Sequence, residues 1–331
     1  MRWQEPFKKT LCTAAVAMMV AMNNAGSAAA FGLRVITSNI RYAADASTYE
    51  QPWSVRGPLL IETISATAAN TTTSSSIPII GMQEVLHEQL VDILDGFNNN
   101  NAGEGEEEWA YLGTGRDDGV EAGEYCPLFY QPSRLNLVFS TQKWLSPTPD
   151  VPSYWPGAGS RRYVIVAVFE DRGGSGTRFV AANTHLDNAS SEARSEGVKI
   201  VLEVIRDVQA VYGGGGDGNL PVTLSGDFNS RPGADAYSVL VEDGYLGESY
   251  VLAGEDGGEV LGPYETYTGF NPDEVDDVKQ RIDFVWVGPQ DGDDAEGNVW
   301  DVERYEVVDN VVDGVYFSDH RPVVVDVTLK A

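Results

Sequence analysis

Six of the eight short β-type runs in this chain abut a residue whose side chain can do chemistry, and that pairing constrains the fold more than any other feature. The runs are 33–38, 77–82, 135–139, 163–169, 178–183, 221–225, 282–287 and 322–327. Asn39 follows the first, Glu84 the second, His185 the fifth, and Asp227 and Asn229 the sixth. Asp283 lies within the seventh, and Asp319 and His320 precede the eighth. Runs of this kind, alternating with helical stretches, indicate layered sheets and helices, in the α/β or α+β manner. Strand ends in such layers share one rim of a sheet, so residues far apart in sequence meet there.

Two helical stretches fill gaps between the runs. Residues 84–97 place Leu86, Leu90, Ile93, Leu94 and Phe97 on one face, and 192–212 do the same with Val201, Val204, Ile205, Val208 and Val211. Ser191 is the expected N-cap of the second and Gly213 its C-cap. The tracts 70–76 and 98–108 are polar and of low complexity, hence solvated loops. Because strands of the same style flank them, the body of the chain reads as one domain, 31–331. With 42% hydrophobic and 10% aromatic residues it can bury a sizeable core.

The first thirty residues belong to targeting. Arg2, Lys8 and Lys9 precede an apolar stretch from Leu11 to Met22, and the segment ends in Gly26-Ser27-Ala28-Ala29-Ala30. That is the layout of a signal peptide, with an apolar stretch too short to span a bilayer comfortably. The expectation is a secreted protein without a transmembrane segment after processing. Removal of 1–30 takes three cations and one anion, so the net charge moves from −28 to −30. It also removes Cys12 and leaves Cys126 as a free, buried thiol. Export turns Asn70-Thr71-Thr72 and Asn188-Ala189-Ser190 into glycosylation sequons.

Several motifs fail their context. The glycines of 213–218 follow a helix and precede a strand, the reverse of a dinucleotide loop. No G-x-S-x-G elbow occurs. Three histidines (His87, His185, His320) and one mature cysteine do not make a zinc set. The acidic loop at Asp291, Asp293, Asp294 and Glu296 lacks EF-hand spacing and reads as a solvated turn. His87 reads as surface-exposed.

The strand-end residues remain. Singly, each has a structural reading: a turn amide for Asn39, a first-turn helix acid for Glu84, a core histidine for His185, an Asx turn for Asp227 and Asn229, a cap for Asp319 and His320. Asp283, in an apolar strand, needs a partner. Together, carboxylates and an amide facing one cleft are what a hard divalent cation such as magnesium needs.

Their order is specific. Ser38-Asn39, Gln83-Glu84, Thr184-His185-Leu186, Gly226-Asp227-Phe228-Asn229, Arg281-Ile282-Asp283 and Ser318-Asp319-His320-Arg321-Pro322 resemble the motif series of the endonuclease/exonuclease/phosphatase superfamily, the deoxyribonuclease I-like hydrolases. The resemblance covers roughly 33–329. Asn39-Ile-Arg-Tyr42, Trp53-Ser-Val-Arg56, Glu124-Tyr-Cys-Pro-Leu-Phe-Tyr130 and the 183–188 segment are similar to a secreted branch of poorly defined substrate rather than to the DNA-repair group. The resemblance implies an α+β (α/β) fold, a four-layer sandwich of two stacked mixed β-sheets flanked by helices. It implies a Mg2+- or Mn2+-dependent phosphoric ester hydrolase, with Glu84 as principal metal ligand and Asn39 and Asp319 near the cation. Asp227 and Asn229 would orient or deprotonate water, and His320, oriented by Asp283, would contact the phosphoryl group or act as base. His185 would bind a phosphate oxygen or protonate the leaving group.

Arg161 and Arg162, an adjacent pair between apolar runs, are candidates for a phosphate clamp or for salt bridges to the abundant acids. The charge of −30 disfavours duplex nucleic acid, whose binding draws on clustered cations. The function expected is therefore hydrolysis of a small or surface-presented phosphoester: a phosphosugar, phosphoglycan or phospholipid headgroup. The alternatives are a secreted metal-dependent nuclease and, from another class, a non-catalytic binding protein on a hydrolase scaffold. The last would predict a lost ligand or base, and every motif position is present.

Overall fold

The computed structural model describes residues 31–70, 76–100, 109–213, 220–273, 278–291 and 295–330. The signal-peptide expectation for 1–30 lies outside these residues, as do most of the 98–108 and 213–218 loops and Asp293 and Asp294 of the acidic turn.

In chain order the elements are β1 (Gly32–Asn39), α1 (Trp53–Ala69), β2 (Ile77–Gln83), α2 (His87–Asn100), β3 (Ala110–Leu112), β4 (Leu128–Tyr130), β5 (Leu135–Trp144), β6 (Tyr163–Asp171) and β7 (Arg178–His185). There follow α3 (Ser191–Tyr212), β8 (Val222–Asp227), α4 (Asp235–Asp243), β9 (Gly247–Glu248), α5 (Ser249–Asp256), β10 (Glu259–Leu261) and β11 (Asp283–Gly288). A 3-10 turn (Ala295–Gly297), β12 (Trp300–Val307), β13 (Val311–Val312), β14 (Val315–Tyr316) and β15 (Val323–Leu329) complete the chain. One sheet runs β10-β12-β15-β1-β2-β4-β3, the other β5-β6-β7-β8-β11-β9, and β13 pairs with β14 alone.

The period-two alternation of the runs builds the layers. Val35 and Ile79 point between the sheets, where they meet Ile165, Ala167 and Val285. Their neighbours Ile36 and Ile80 point outward, to Leu60 and Ile64 of α1 and Leu90 and Ile93 of α2. On the second sheet Val164, Val166, Val180 and Leu224 turn to the opposite outer side, under Val198, Val201 and Ile205 of α3 and Leu240 of α4. Two mixed sheets stacked face to face and flanked by helices give the expected four layers. Both faces of each central strand are covered, which is why the runs read as nearly continuous apolar stretches.

Pairing then decides which strand ends coincide. β1 runs parallel to β2, with Asn39 opposite Gln83, and β7 runs parallel to β8, with His185 opposite Asp227. β11 is antiparallel to β8 and places Asp283 opposite Asp227. β15 is antiparallel to β1, so its entry, just after Asp319 and His320, lies beside the exit of β1. Six chain segments therefore deliver their polar residues to one end of the sandwich.

Some local expectations are corrected. The second helix begins at His87, because Glu84 takes φ +61° and Val85 still bridges Tyr125, neither compatible with a helix. Glu84 is thus a turn residue and not a first-turn acid. His87 is half-buried and its Nδ1 lies 2.9 Å from the Tyr125 hydroxyl, so it is not the free surface histidine expected. The cap of α3 is Ser190, one residue early: its backbone is extended and its hydroxyl accepts the Ala193 N–H at 3.1 Å, while Ser191 is already helical. Both sequon asparagines, Asn70 and Asn188, are exposed.

Gly226 shows how closely β7 and β8 approach. A Cβ there would sit 2.2 Å from the Thr184 carbonyl oxygen, which is backbone and has nowhere to go. Gly226→Ala is expected to destabilise the protein by about 1–3 kcal/mol, the usual cost of overpacking, read as a lowered urea midpoint. An unchanged midpoint would show that β8 shifts freely.

Candidate active site

Asn39, the last residue of β1, ties the first sheet to the second. Its Nδ2 donates to Glu84 Oε1 at 3.0 Å and to Asp227 Oδ2 at 2.9 Å, and its Oδ1 accepts the Arg41 N–H at 2.9 Å. Glu84 also accepts the Tyr42 N–H at 3.2 Å. Its left-handed backbone costs of order 1–3 kcal/mol and turns its carboxylate back toward Asn39. Asn229, at φ +48°, is strained in the same way, and its N–H anchors Asp227 Oδ1 at 2.8 Å.

Asp227 is the hub. Its Oδ2 lies 3.4 Å from His185 Nε2 and 3.9 Å from His320 Nε2. Burial and the nearby Asp283 carboxylate push its pKa up to about 7, against the pull of His320, Asn39 and Asn229. Asp283 holds His320 Nδ1 at 2.8 Å and accepts the Thr266 hydroxyl at 2.6 Å. Burial opposes a charge on His320, yet Asp283, Asp227 and Asp319 together raise it to about 10, so it is an imidazolium at neutral pH. His185 is its opposite. Burial first, then the Arg162, Arg116 and His320 charges, hold its pKa well below the ordinary value. Asn229 Nδ2 lies 3.1 Å from His185 Nε2 and 3.1 Å from the Leu186 carbonyl; donating to both, it leaves the neutral ring's proton on Nδ1.

Arg56, in the Trp53-Ser-Val-Arg56 segment, holds this rim together. It is fully buried in α1 and donates to the carbonyls of Gln51, Ile40 and Phe317 at 2.8–3.0 Å. The loop after β1 and the loop before Asp319 are thereby fastened to one guanidinium. Ser318 Oγ adds a 2.6 Å hydrogen bond to the Asn39 carbonyl. Sequence reasoning quoted Arg56 as a similarity and missed this role; an arginine amid helical apolar residues is the signal that a buried partner set exists.

The structure brings Asn39, Glu84, His185, Asp227, Asn229, Asp283, Asp319 and His320 to one end of the sandwich. Among the described residues two sets of potential ligand atoms cluster, the atoms within each set lying within 4.8 Å of one another: Glu84, His185 and Asp227, and Asp227, Asp283 and His320. Asp319 is in neither, but its Oδ1 is buried without a hydrogen-bond partner, and burial and Glu84 raise its pKa. Arg161 and Arg162 part company. Both line a cleft shared with His185, but Arg161 is paired with Asp117 at 3.1 Å and lies over the Tyr154 ring, whereas Arg162 is buried there. Arg116 and Glu124 line the same cleft and were not singled out from the sequence. Cys126 also lines it, a buried free thiol whose pKa burial drives well up.

No family model and no curated protein matches the chain. Solved structures do. The endonuclease/exonuclease/phosphatase from Bacteroides vulgatus is 28% identical, with a TM-score of 0.74 over 90% of this chain and 99% of that one. A mannosyl-6-phosphatase from Bacteroides thetaiotaomicron is 27% identical, with a TM-score of 0.73 over 90% of this chain and 100% of that one. The human Nocturnin catalytic domain with bound sulfate is 21% identical, with a TM-score of 0.62 over 90% and 95%. The structural neighbours are thus endonuclease/exonuclease/phosphatase family proteins, the fold is theirs, and the likeness supports a hydrolase.

The Asp283–His320 pair is testable as a unit. His320→Ala is expected to lower kcat by about 10²–10⁴, Asp283→Asn by less, and the double variant to match the single histidine variant. Multiplicative losses would mean that the aspartate acts other than through the imidazole.

Proposed function

We propose that this chain is a divalent-metal-dependent phosphoester hydrolase acting on a small phosphoester of the phosphosugar kind. The observation that carries the reading is the single hydrogen-bonded set in which Asn39 spans Glu84 and Asp227, with a neutral and a charged imidazole beside them. The likeness to a mannosyl-6-phosphatase supports the substrate class. So does the charge of −28, which gives a polyanion little to hold.

A magnesium or manganese ion fits the residues present. Glu84, Asp227, Asp283 and Asp319 crowd one site, and the Asp319 Oδ1 atom is buried with no donor facing it. Their hard oxygen atoms suit magnesium or manganese better than zinc. Glu84 and Asp319, with Asn39 beside them, would hold it. When bound, the cation supplies Lewis-acid stabilisation of phosphoryl charge. The protein's own groups do the rest. Asp227, poised near neutrality, accepts a proton from water that Asn229 helps to orient. The His320 imidazolium, fixed by Asp283, faces the charge that develops on the phosphoryl oxygens. Phosphoryl transfer asks for this positioning more than for covalent chemistry.

Protein stripped with EDTA is expected to lose hydrolysis of p-nitrophenyl phosphate and mannose 6-phosphate, and to regain it with magnesium or manganese. Glu84→Gln is expected to raise the metal concentration needed for half-maximal rate. Full turnover in metal-free protein would refute the metal assignment. Duplex DNA cleaved faster per scissile bond than either ester, in low salt, would favour a nuclease.

We also infer export, with residues 1–30 removed, from the charged, apolar and small-residue succession at the N-terminus. The intact mass of protein recovered from culture medium is expected to begin at Phe31. Retention of the full chain inside cells would overturn this.

A further inference from the structure

The cleft beside His185 holds a buried guanidinium with donors that no hydrogen bond satisfies. Arg162 lies one residue before β6, whose Val164 pairs with Thr184, next to His185. Its side chain is 7% exposed. One hydrogen bond, from Nη2 to Asn188 Oδ1 at 3.3 Å, holds it. Among the described residues, Nε and Nη1 have no hydrogen-bond partner. The nearest carboxylates stand off at 3.9 Å (Asp187) and 4.0 Å (Glu124).

Both of those carboxylates are committed elsewhere. Asp187 accepts backbone N–H groups from Gly159, Ser160, Ala189 and Ser190. Glu124 binds Arg116 Nη1 at 2.6 Å. Arg116, only 16% exposed, keeps its own Nε without a partner and lines the same cleft. A buried guanidinium with open donors is costly unless an acceptor fills the gap, and its planar fork matches the oxygens of a phosphoryl group. The cleft is small, about 10 Å³, room for a single water-sized group such as one phosphoryl oxygen, and is lined by Tyr125, Cys126 and Tyr163.

We propose that Arg162, backed by Arg116, forms a phosphoryl-oxygen subsite beside His185 that selects the terminal phosphate of a monoester over a diester. The proposal rests on the reading of the site as a phosphoester hydrolase and adds to it the class of ester. A monoester carries a charge near −2 at neutral pH and presents three unsubstituted oxygens. A diester carries one charge and offers one fewer unsubstituted oxygen to the open donors. Open guanidinium donors beside the reacting centre therefore favour the dianion, whose oxygens are the stronger acceptors.

The test compares wild type with Arg162→Gln and Arg116→Gln on p-nitrophenyl phosphate and bis(p-nitrophenyl) phosphate, in one buffer and with one metal. Binding of inorganic phosphate by calorimetry runs alongside. Losing a charged hydrogen-bonded contact is expected to cost Arg162→Gln about 10- to 100-fold in kcat/KM on the monoester, and about threefold or less on the diester. Phosphate affinity is expected to fall by a similar factor. Arg116→Gln is expected to move both readouts in the same direction by less. Equal losses on both esters, or no loss on either, would overturn the subsite. If Arg162→Gln fails to fold, Arg162→Met, which keeps the length but removes charge and donors, reads the same ratio. Should wild type hydrolyse neither ester, the phosphoester reading fails. Phosphate binding then decides the subsite alone: lost on substitution it stands, absent in wild type it falls.

Discussion

The site depends on how closely the two sheets approach at one end. Gly81 on β2 permits it: a Cβ there would fall 2.6 Å from the Asn183 side chain and from Ser225 Oγ on the opposite sheet. The amides then stitch the gap. Gln83 donates to Thr37 Oγ1 and to Asn183 Oδ1, and Asn183 returns Nδ2 to the carbonyls of Met82 and Pro127. In a low-dielectric interior such a network fixes one spacing, because slippage would strand buried donors. Glu84 follows Gln83 directly, and His185 comes two residues after Asn183, so this spacing sets the distance between the groups of the two sheets.

Charge is the second organising force. Four carboxylates lie at the rim, and the fold answers them with Arg41, whose pKa Glu50, Asp319 and Glu84 raise against burial, and with His320. The answer is uneven: one imidazole is driven to hold a proton and the other to shed it, at 3.9 Å and 3.4 Å from the same Asp227 oxygen. Two histidines given opposite protonation states by their surroundings can divide charge stabilisation and hydrogen-bond acceptance between them. The buried guanidiniums of Arg56 and Arg162 contrast in the same way. Arg56 spends its donors on backbone carbonyls and holds loops, whereas Arg162 keeps two nitrogens open in the cleft.

The fold alone does not choose a substrate, since neighbours sharing it range from a mannosyl-6-phosphatase to Nocturnin. The segment carrying Arg116 and Glu124 and the turn carrying Arg161 and Arg162 meet beside His185.

The layered architecture was legible in the chain because strand periodicity and strand-end chemistry are local properties. All eight β-type runs became strands, and each of the eight strand-end residues reached the same rim. Short edge strands such as β3, β9 and β10 were not legible, since two or three residues carry no period and pair only where the neighbouring strand provides a template. The start of α2 was misplaced for a related reason: a left-handed Glu84 is imposed by the hydrogen bonds it makes across the site, not by its neighbours in sequence. Residue type could name Arg161 and Arg162 as a pair but could not tell them apart. Both line the cleft at His185, yet Arg161 found Asp117 and Tyr154 while Arg162 was buried with open donors. The sequence by itself determined which groups are available and that they lie at strand ends. Only the tertiary structure decided their protonation, their partners and which charge was left open, because those follow from burial and distance between segments far apart in the chain.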